Sequence, residues 1–130
     1  MIQDGDVAAA IETARPETGI DLLMGIGGTP EGVITAAAMI CLGGSIQGLL
    51  HPKDASEKER AIAAGHDLNK VLSTRDLVNS DDVFLSATGI TDGELLRGIR
   101  YMSYGSISQS LVMRGKSQTV RLIQTEHHLK

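Results

Sequence analysis

Residues 25–33, GIGGTPEGV, combine glycines, a proline and an acid in an order that could bind a ligand. They lie between the apolar run 20–24 and the alanine-rich run 34–42, a pattern that predicts a strand, a tight glycine loop and a helix. Amide groups at such a helix start favour an anion such as phosphate. The carboxylate of Glu31 could hold a metal ion beside that phosphate.

The residues at the predicted helix start have an ordinary structural interpretation as well. Pro30 suits the first helical turn, because its missing N–H is one that the helix does not use. We predict Thr29 as the N-cap, with Glu31 in the first turn. However, the spacing is not G-x-G-x-x-G and no G-K-[ST] follows. An acid in the first turn also compensates the helix dipole, so a purely structural role stays open.

Three acidic turns follow predicted strands in this sequence. They are Asp4-Gly5-Asp6, the loop containing Glu31, and Asp92-Gly93-Glu94. The carboxyl ends of parallel strands meet at one edge of a sheet, so these carboxylates could converge on a phosphorylated ligand and a divalent ion. Hard oxygen ligands suit magnesium or manganese. The alternative is that aspartate–glycine pairs and acidic caps only make turns.

The order of predicted elements indicates an α/β domain. Helices are predicted over 7–14, 31–42, 57–64 and 94–97, and strands over 20–24, 46–50, 83–87, 110–114 and 119–124. The first strand, helix and strand of this series predict a parallel βαβ unit, and residues 115–118 predict a hairpin at an antiparallel edge. We also expect residues 1–3 to end a strand that lies mostly before Met1, so that the chain begins inside a larger fold.

Composition narrows the class of protein. A chain of 130 residues is one domain or part of one. The net charge of −4, with one Phe, two Tyr and no Trp, argues against a nucleic-acid partner. The apolar residues occur in short segments, none near the ~20 residues of a membrane span, and no leader pattern opens the chain. We therefore expect a soluble, cytoplasmic protein with no membrane partner.

The remaining reactive side chains carry weaker signals. The single cysteine, Cys41, argues against an internal disulfide and a cysteine-cluster zinc site, and we expect it to be a buried small hydrophobe. The four histidines lack metal-ligand spacing, and we expect the pair His127 and His128 to be solvated. Lys116 and Arg121 either steer an anionic substrate or protect an exposed sheet edge from aggregation.

Five segments, in order, resemble the carboxyl-terminal half of the class II (GlpX-type) fructose-1,6-bisphosphatases. They are IQDGDVAAAI, DLLMGIGGTPEGVITAA, CLGG followed by IQGLL, DDVFLSATGITDGELLRGI and LVMRGKSQTVR. The resemblance covers nearly all of the chain. It implies that residues 1–130 are the carboxyl-terminal α/β domain of such an enzyme, with a mixed sheet flanked by helices in the lithium-sensitive sugar phosphatase-like fold.

The resemblance also implies an activity: metal-dependent hydrolysis of fructose 1,6-bisphosphate to fructose 6-phosphate and phosphate, a step of gluconeogenesis. Sedoheptulose 1,7-bisphosphate is a further candidate substrate. By resemblance Glu31 is a ligand of Mn²⁺ or Mg²⁺, and the substrate-binding residues are Asp4, Gly5, Asp6 and Gly28. The family's other metal ligands and its basic phosphate clamp belong to the amino-terminal half. We therefore expect this chain to be inactive alone and to need that half as a partner, and we expect a homo-oligomer.

Two other functions remain open from the sequence. The first is a non-catalytic module that binds a sugar phosphate or a nucleotide on the same glycine loop. The second is a purely structural remnant of an enzyme. Ligand binding without turnover distinguishes the first from an enzyme, and the absence of any thermal shift with sugar phosphates is the sign of the second.

Overall fold

The computed structural model describes residues 6–129, which form two antiparallel sheets flanked by helices. The helices are α1 (Asp6–Thr13), α2 (Thr29–Leu42), α3 (Ala55–Ala63) and α4 (Thr74–Leu77), with a 3₁₀ turn at Pro16–Thr18. The strands are β1 (Gln47–Gly48), β2 (Leu72–Ser73), β3 (Phe84–Thr88), β4 (Arg100–Met102), β5 (Gly105–Arg114) and β6 (Thr119–His128). The strand predicted at residues 1–3 and the candidate residues Asp4 and Gly5 lie outside the described residues.

The larger sheet is built around β5. Strand β6 pairs with β5 along its whole length, placing Leu111 opposite Leu122. Strands β3 and β4 both pair with β5, β3 toward its end and β4 at its start. The β5–β6 hairpin confirms the one predicted around residues 115–118, and both strands are longer than predicted.

Helix α2 covers one face of this sheet and forms the centre of the core. Its buried Met39 and Cys41 belong to the same apolar cluster as Leu85, Leu111 and Met113 of the sheet. Helix α1 packs on α2 and adds its buried Ile11 to that cluster. The alanines of α2 explain this closeness, because small side chains let neighbouring elements approach the helix.

The ends of α2 show how local sequence sets its length. Gly43 is the C-cap with φ +75°, and its N–H donates to the Met39 carbonyl. The N-cap differs from the prediction by one residue. Gly28 is the N-cap and Thr29 is the first helical residue, so the threonine is not the cap.

The predicted parallel βαβ unit is not formed within residues 6–129. Residues 19–28 contain no strand, and the predicted strand 46–50 contributes only β1, which pairs antiparallel with β2. A strand of a parallel sheet needs apolar cover on both faces. In this chain Leu22 and Met24 are exposed, so the cover that would stabilise such a strand is missing. The broader expectation of an α/β domain whose sheets are flanked by helices is confirmed.

The strand predicted at 83–87 is formed as β3 and is buried on one face only, since Leu85 is buried while Phe84 is exposed. Successive side chains of a strand point to opposite faces, and α2 covers one face. The helix predicted at 94–97 is instead a loop, in which Ile99 N–H donates to the Ile90 carbonyl at 3.1 Å.

No helix in residues 6–129 is long and apolar enough to cross a bilayer.

Candidate functional site

The start of α2 places the Glu31 carboxylate against Gly28. A methyl group on Gly28 would overlap Glu31 Oε2 and would lie 3.2 Å from Glu31 Cδ. Gly28 has φ −72° and ψ 155°, a conformation that any residue can adopt. Glycine is therefore suited to this position by the space it leaves and not by its backbone freedom.

Asp6 reaches the same loop from α1. A methyl group on Gly27 would lie 3.3 Å from Asp6 Oδ2, closer than most such contacts in proteins. Because α1 packs against α2, the first residue of one helix lies beside the loop that leads into the other. The structure thus brings together Asp6, Gly27, Gly28 and Glu31, three of which were predicted site residues. Gly27 is the residue that the sequence reasoning missed, although it belongs to the same glycine cluster.

This arrangement offers both kinds of group that a phosphorylated, metal-bound ligand needs. The first intrahelical bond of α2 runs from Gly32 N–H to the Gly28 carbonyl, so the amides before Gly32 are not used inside the helix. They lie at the positive end of the helix dipole, where an anion is stabilised. Asp6 and Glu31 are exposed beside them and present carboxylate oxygens.

The donor set fits a hard divalent cation. Carboxylate oxygens suit Mg²⁺ or Mn²⁺, and both available side chains are of that type. Within residues 6–129, however, no group of three or more His, Cys, Asp or Glu side chains converges to hold a metal ion. The described residues therefore do not form a complete metal site by themselves.

Comparison with known proteins identifies the family of this chain. The family model for the bacterial fructose-1,6-bisphosphatases, glpX-encoded, matches residues 1–127. The chain belongs to this family. It is 42% identical to the class 2 fructose-1,6-bisphosphatase of Haemophilus influenzae and 43% identical to fructose-1,6-bisphosphatase 1 class 2 of Escherichia coli K12. Both matches cover 98% of this chain and 42% of the relative's length.

Membership of the glpX-encoded family confirms the resemblance to the carboxyl-terminal part of these enzymes. The chain spans well under half of the length of the curated relatives that it matches. The Asp6–Gly27 and Gly28–Glu31 contacts belong to two of the segments that carried the resemblance.

The third acidic turn of this glpX-family chain has a local role. Asp92 Oδ1 accepts a hydrogen bond from Gly98 N–H at 2.8 Å, which closes the loop between β3 and β4. Asp92 therefore has the turn-forming role that is ordinary for an aspartate–glycine pair. The predicted convergence of all three acidic turns is not found among the described residues, because the aspartate is held by its own loop.

Lys116 of the hairpin lies away from the glycine loop. Lys116 lines a groove of about 550 Å³ together with Gly43 and Gly44, at the carboxyl end of α2. Helix α2 has 14 residues, so this groove is roughly 20 Å from the helix start that carries Glu31. Lys116 also forms a salt bridge with Asp82 at 3.2 Å. It is therefore not placed to contact a ligand at Glu31.

Cys41 lies in the core, and the histidines of the tail contact neighbouring side chains. Cys41 is buried, as predicted, and its burial raises the pKa of the thiol. His127 and His128 are exposed, as predicted, but each has a neighbour. His127 Nε2 lies 3.0 Å from Ser108 Oγ, and the His128 ring stacks on Tyr104 with centroids 5.3 Å apart.

Proposed function

We propose that this chain is the carboxyl-terminal part of a metal-dependent enzyme that hydrolyses fructose 1,6-bisphosphate to fructose 6-phosphate and phosphate in gluconeogenesis. The observation that carries the proposal is the pairing of Glu31 with Gly28 at the start of α2, with Asp6 beside Gly27. Membership of the fructose-1,6-bisphosphatase family supports it. Sedoheptulose 1,7-bisphosphate is a second substrate worth testing.

Each residue of the site has a separate task in this proposal. The free amides before Gly32 bind the phosphoryl oxygens and stabilise the negative charge that develops on them. Asp4, Gly5, Asp6 and Gly28 bind the substrate. Glu31 would hold Mg²⁺ or Mn²⁺, which when bound would polarise the phosphoryl group and help to activate the attacking water. Gly28 leaves the space that lets the Glu31 carboxylate lie next to the amides.

The proposal includes a partner, because the relatives are more than twice as long as this chain. We propose that the amino-terminal portion of the enzyme supplies the remaining metal ligands and the cationic groups that hold the phosphates. It follows that this chain has little or no activity by itself. We also propose that the assembled enzyme is a homo-oligomer.

The test is a fusion in which this chain replaces the matching carboxyl-terminal part of the Haemophilus influenzae relative. Phosphate release from fructose 1,6-bisphosphate is measured with Mn²⁺ or Mg²⁺ present. We expect turnover by the fusion, and a loss of at least about 100-fold in kcat for Glu31→Gln, since a charged group that acts on the reacting phosphate is removed. Glu59→Gln, an exposed acid on α3, is the matched control and should keep full activity. An active Glu31→Gln fusion would contradict the proposal.

A non-catalytic binding module is the second candidate, because residues 6–129 bring together fewer than three metal-binding side chains. Calorimetric titration of the 130-residue chain with fructose 1,6-bisphosphate or a nucleotide separates the two functions. Tight binding that persists with a chelator present, together with an inactive fusion, favours the module. Weak binding by the chain and turnover by the fusion favour the enzyme.

A further inference from the structure

The segment that leads into the candidate site exposes an unusual amount of apolar surface. Leu22, Met24 and Ile26 are 73%, 83% and 81% exposed. Single exposed apolar residues are normal on a protein surface, but large contiguous apolar patches mark interaction sites. Three such residues at alternate positions of one short segment indicate a surface that another polypeptide covers.

The backbone of the same segment points to the kind of partner. Residues 19–28 contain no helix, strand or turn, and no N–H of residues 21–28 donates a backbone hydrogen bond to another residue of the described chain. A free row of N–H and C=O groups is what the edge of a sheet presents to an incoming strand. As a strand, the segment would place Leu22, Met24 and Ile26 on one face.

We infer that residues 20–26 are the docking edge for the amino-terminal portion of the enzyme, which supplies an apolar strand beside this segment and covers its three exposed side chains. The inference rests on the proposed function, since it needs that portion to exist as a partner. Two observations favour this occupant. The matched relatives contain more than half of their length outside the region equivalent to this chain. The segment also runs directly into Gly27 and Gly28, which lie against the two site carboxylates.

Docking at this segment would couple assembly to the site. A strand paired with residues 20–26 would hold the backbone immediately before Gly27, and thereby the position of the loop relative to Asp6 and Glu31. The partner that brings the missing ligands would then also order the glycine loop that receives the phosphate. Leu22, Met24 and Ile26 become buried in the assembled enzyme. Burial of their apolar surface stabilises the assembly in addition to the new backbone hydrogen bonds.

Amide hydrogen exchange tests the inference without needing activity. The 130-residue chain is compared with its fusion to the amino-terminal portion of the Haemophilus influenzae relative. We expect the amides of residues 21–26 to exchange at least about 100-fold more slowly in the fusion, because they become part of a paired strand. Equal exchange rates in the two proteins would overturn the inference. Protection that appears in the chain alone and grows with its concentration would also overturn it, since it would identify a second copy as the occupant.

Two variants of the fusion sharpen the test. Met24→Lys places a charge in the proposed contact and should remove the protection of residues 21–26. Ile62→Lys makes the same change at an exposed position of α3 and should leave that protection unchanged. Protection that survives Met24→Lys contradicts the inference. The intact Haemophilus influenzae enzyme is a second sample that does not depend on folding of a fusion, and fast exchange of its corresponding segment would equally overturn the docking edge.

The same samples separate the inference from the proposed function. A fusion that protects residues 21–26 but releases no phosphate supports the docking edge and contradicts the enzymatic proposal. A fusion that hydrolyses the sugar bisphosphate while residues 21–26 still exchange rapidly supports the enzyme and rejects the docking edge.

Discussion

Glu31 folds its carboxylate over Gly28, the N-cap of its own helix, so closely that a methyl group on Gly28 would overlap Glu31 Oε2. The contact joins a group that can bind a metal to the amides that can bind a phosphate. We predict that Gly28→Ala moves the Glu31 side chain and lowers kcat of the fused enzyme by roughly 10- to 100-fold, because a misplacement of about 1 Å at a reacting centre is costly.

The fold should tolerate Gly28→Ala. Alanine can adopt the φ and ψ of position 28, and the obstructing atoms belong to a flexible side chain. We expect the free energy of unfolding to change by less than about 1 kcal/mol in urea denaturation. Gly25→Ala is the control, since nothing lies within 4 Å of a methyl group there. Full activity of Gly28→Ala would show that the position of Glu31 does not matter.

Met113 should be one of the main contributors to stability. Its side chain is fully buried on β5, where it packs with α2 and Leu85. We expect Met113→Ala to lower the free energy of unfolding by about 2–5 kcal/mol, because the substitution removes buried methylenes and leaves a cavity. Met102→Ala on β4, where the side chain is 43% exposed, should cost much less. If urea denaturation shows similar losses in the free energy of unfolding for the two variants, Met113 is not a main part of the core.

Asp76 should make the stability of the protein depend on pH in acid. Its carboxylate accepts hydrogen bonds from the backbone N–H and the hydroxyl of Ser73, and Lys70 lies 3.4 Å away. The Ser73 backbone bond, followed by the hydroxyl and Lys70, lowers the pKa of Asp76 below its ordinary value of 3.8. The stabilisation is therefore complete above pH 3.8 and is lost as the pH falls through the lowered pKa.

Asp76→Asn consequently should be less stable than the wild type at neutral pH. The difference between the two proteins should shrink as the pH falls below 3.8, because the wild-type carboxylate then becomes protonated. Urea denaturation across this range measures it. A stability difference that is the same at neutral and acidic pH would mean that the charge of Asp76 contributes nothing.

Cys41 should be unreactive in the folded chain. Its side chain is 1% exposed, and burial raises the pKa of the thiol, so little of the nucleophilic thiolate forms near neutral pH. Alkylation by iodoacetamide should be at least about 100-fold slower in the native protein than in urea. Rapid native alkylation would mean that α2 separates easily from the sheet. A serine variant, Cys41→Ser, is the unlabelled control.

Several features were determined by short stretches of sequence. The glycine cluster, the start of α2 within two residues, its end at Gly43 and the β5–β6 hairpin all depend on backbone preferences of a few neighbouring residues. The family also follows from sequence alone, since five ordered segments carry the resemblance and the family model confirms it. Such local features can be predicted from the sequence because they depend on neighbouring residues and need no distant partner.

Tertiary structure decided which distant parts of the chain contact one another. Asp6 lies at Gly27 because α1 packs on α2, whereas Asp92, an equally suggestive acid in sequence, is held by Gly98 in its own loop. The apolar residues 20–24 have the composition of a buried strand, yet they form none in this chain. A strand is stabilised by hydrogen bonds and side chains that its neighbours provide, so its existence is decided by the surfaces that meet it and not by its own residues.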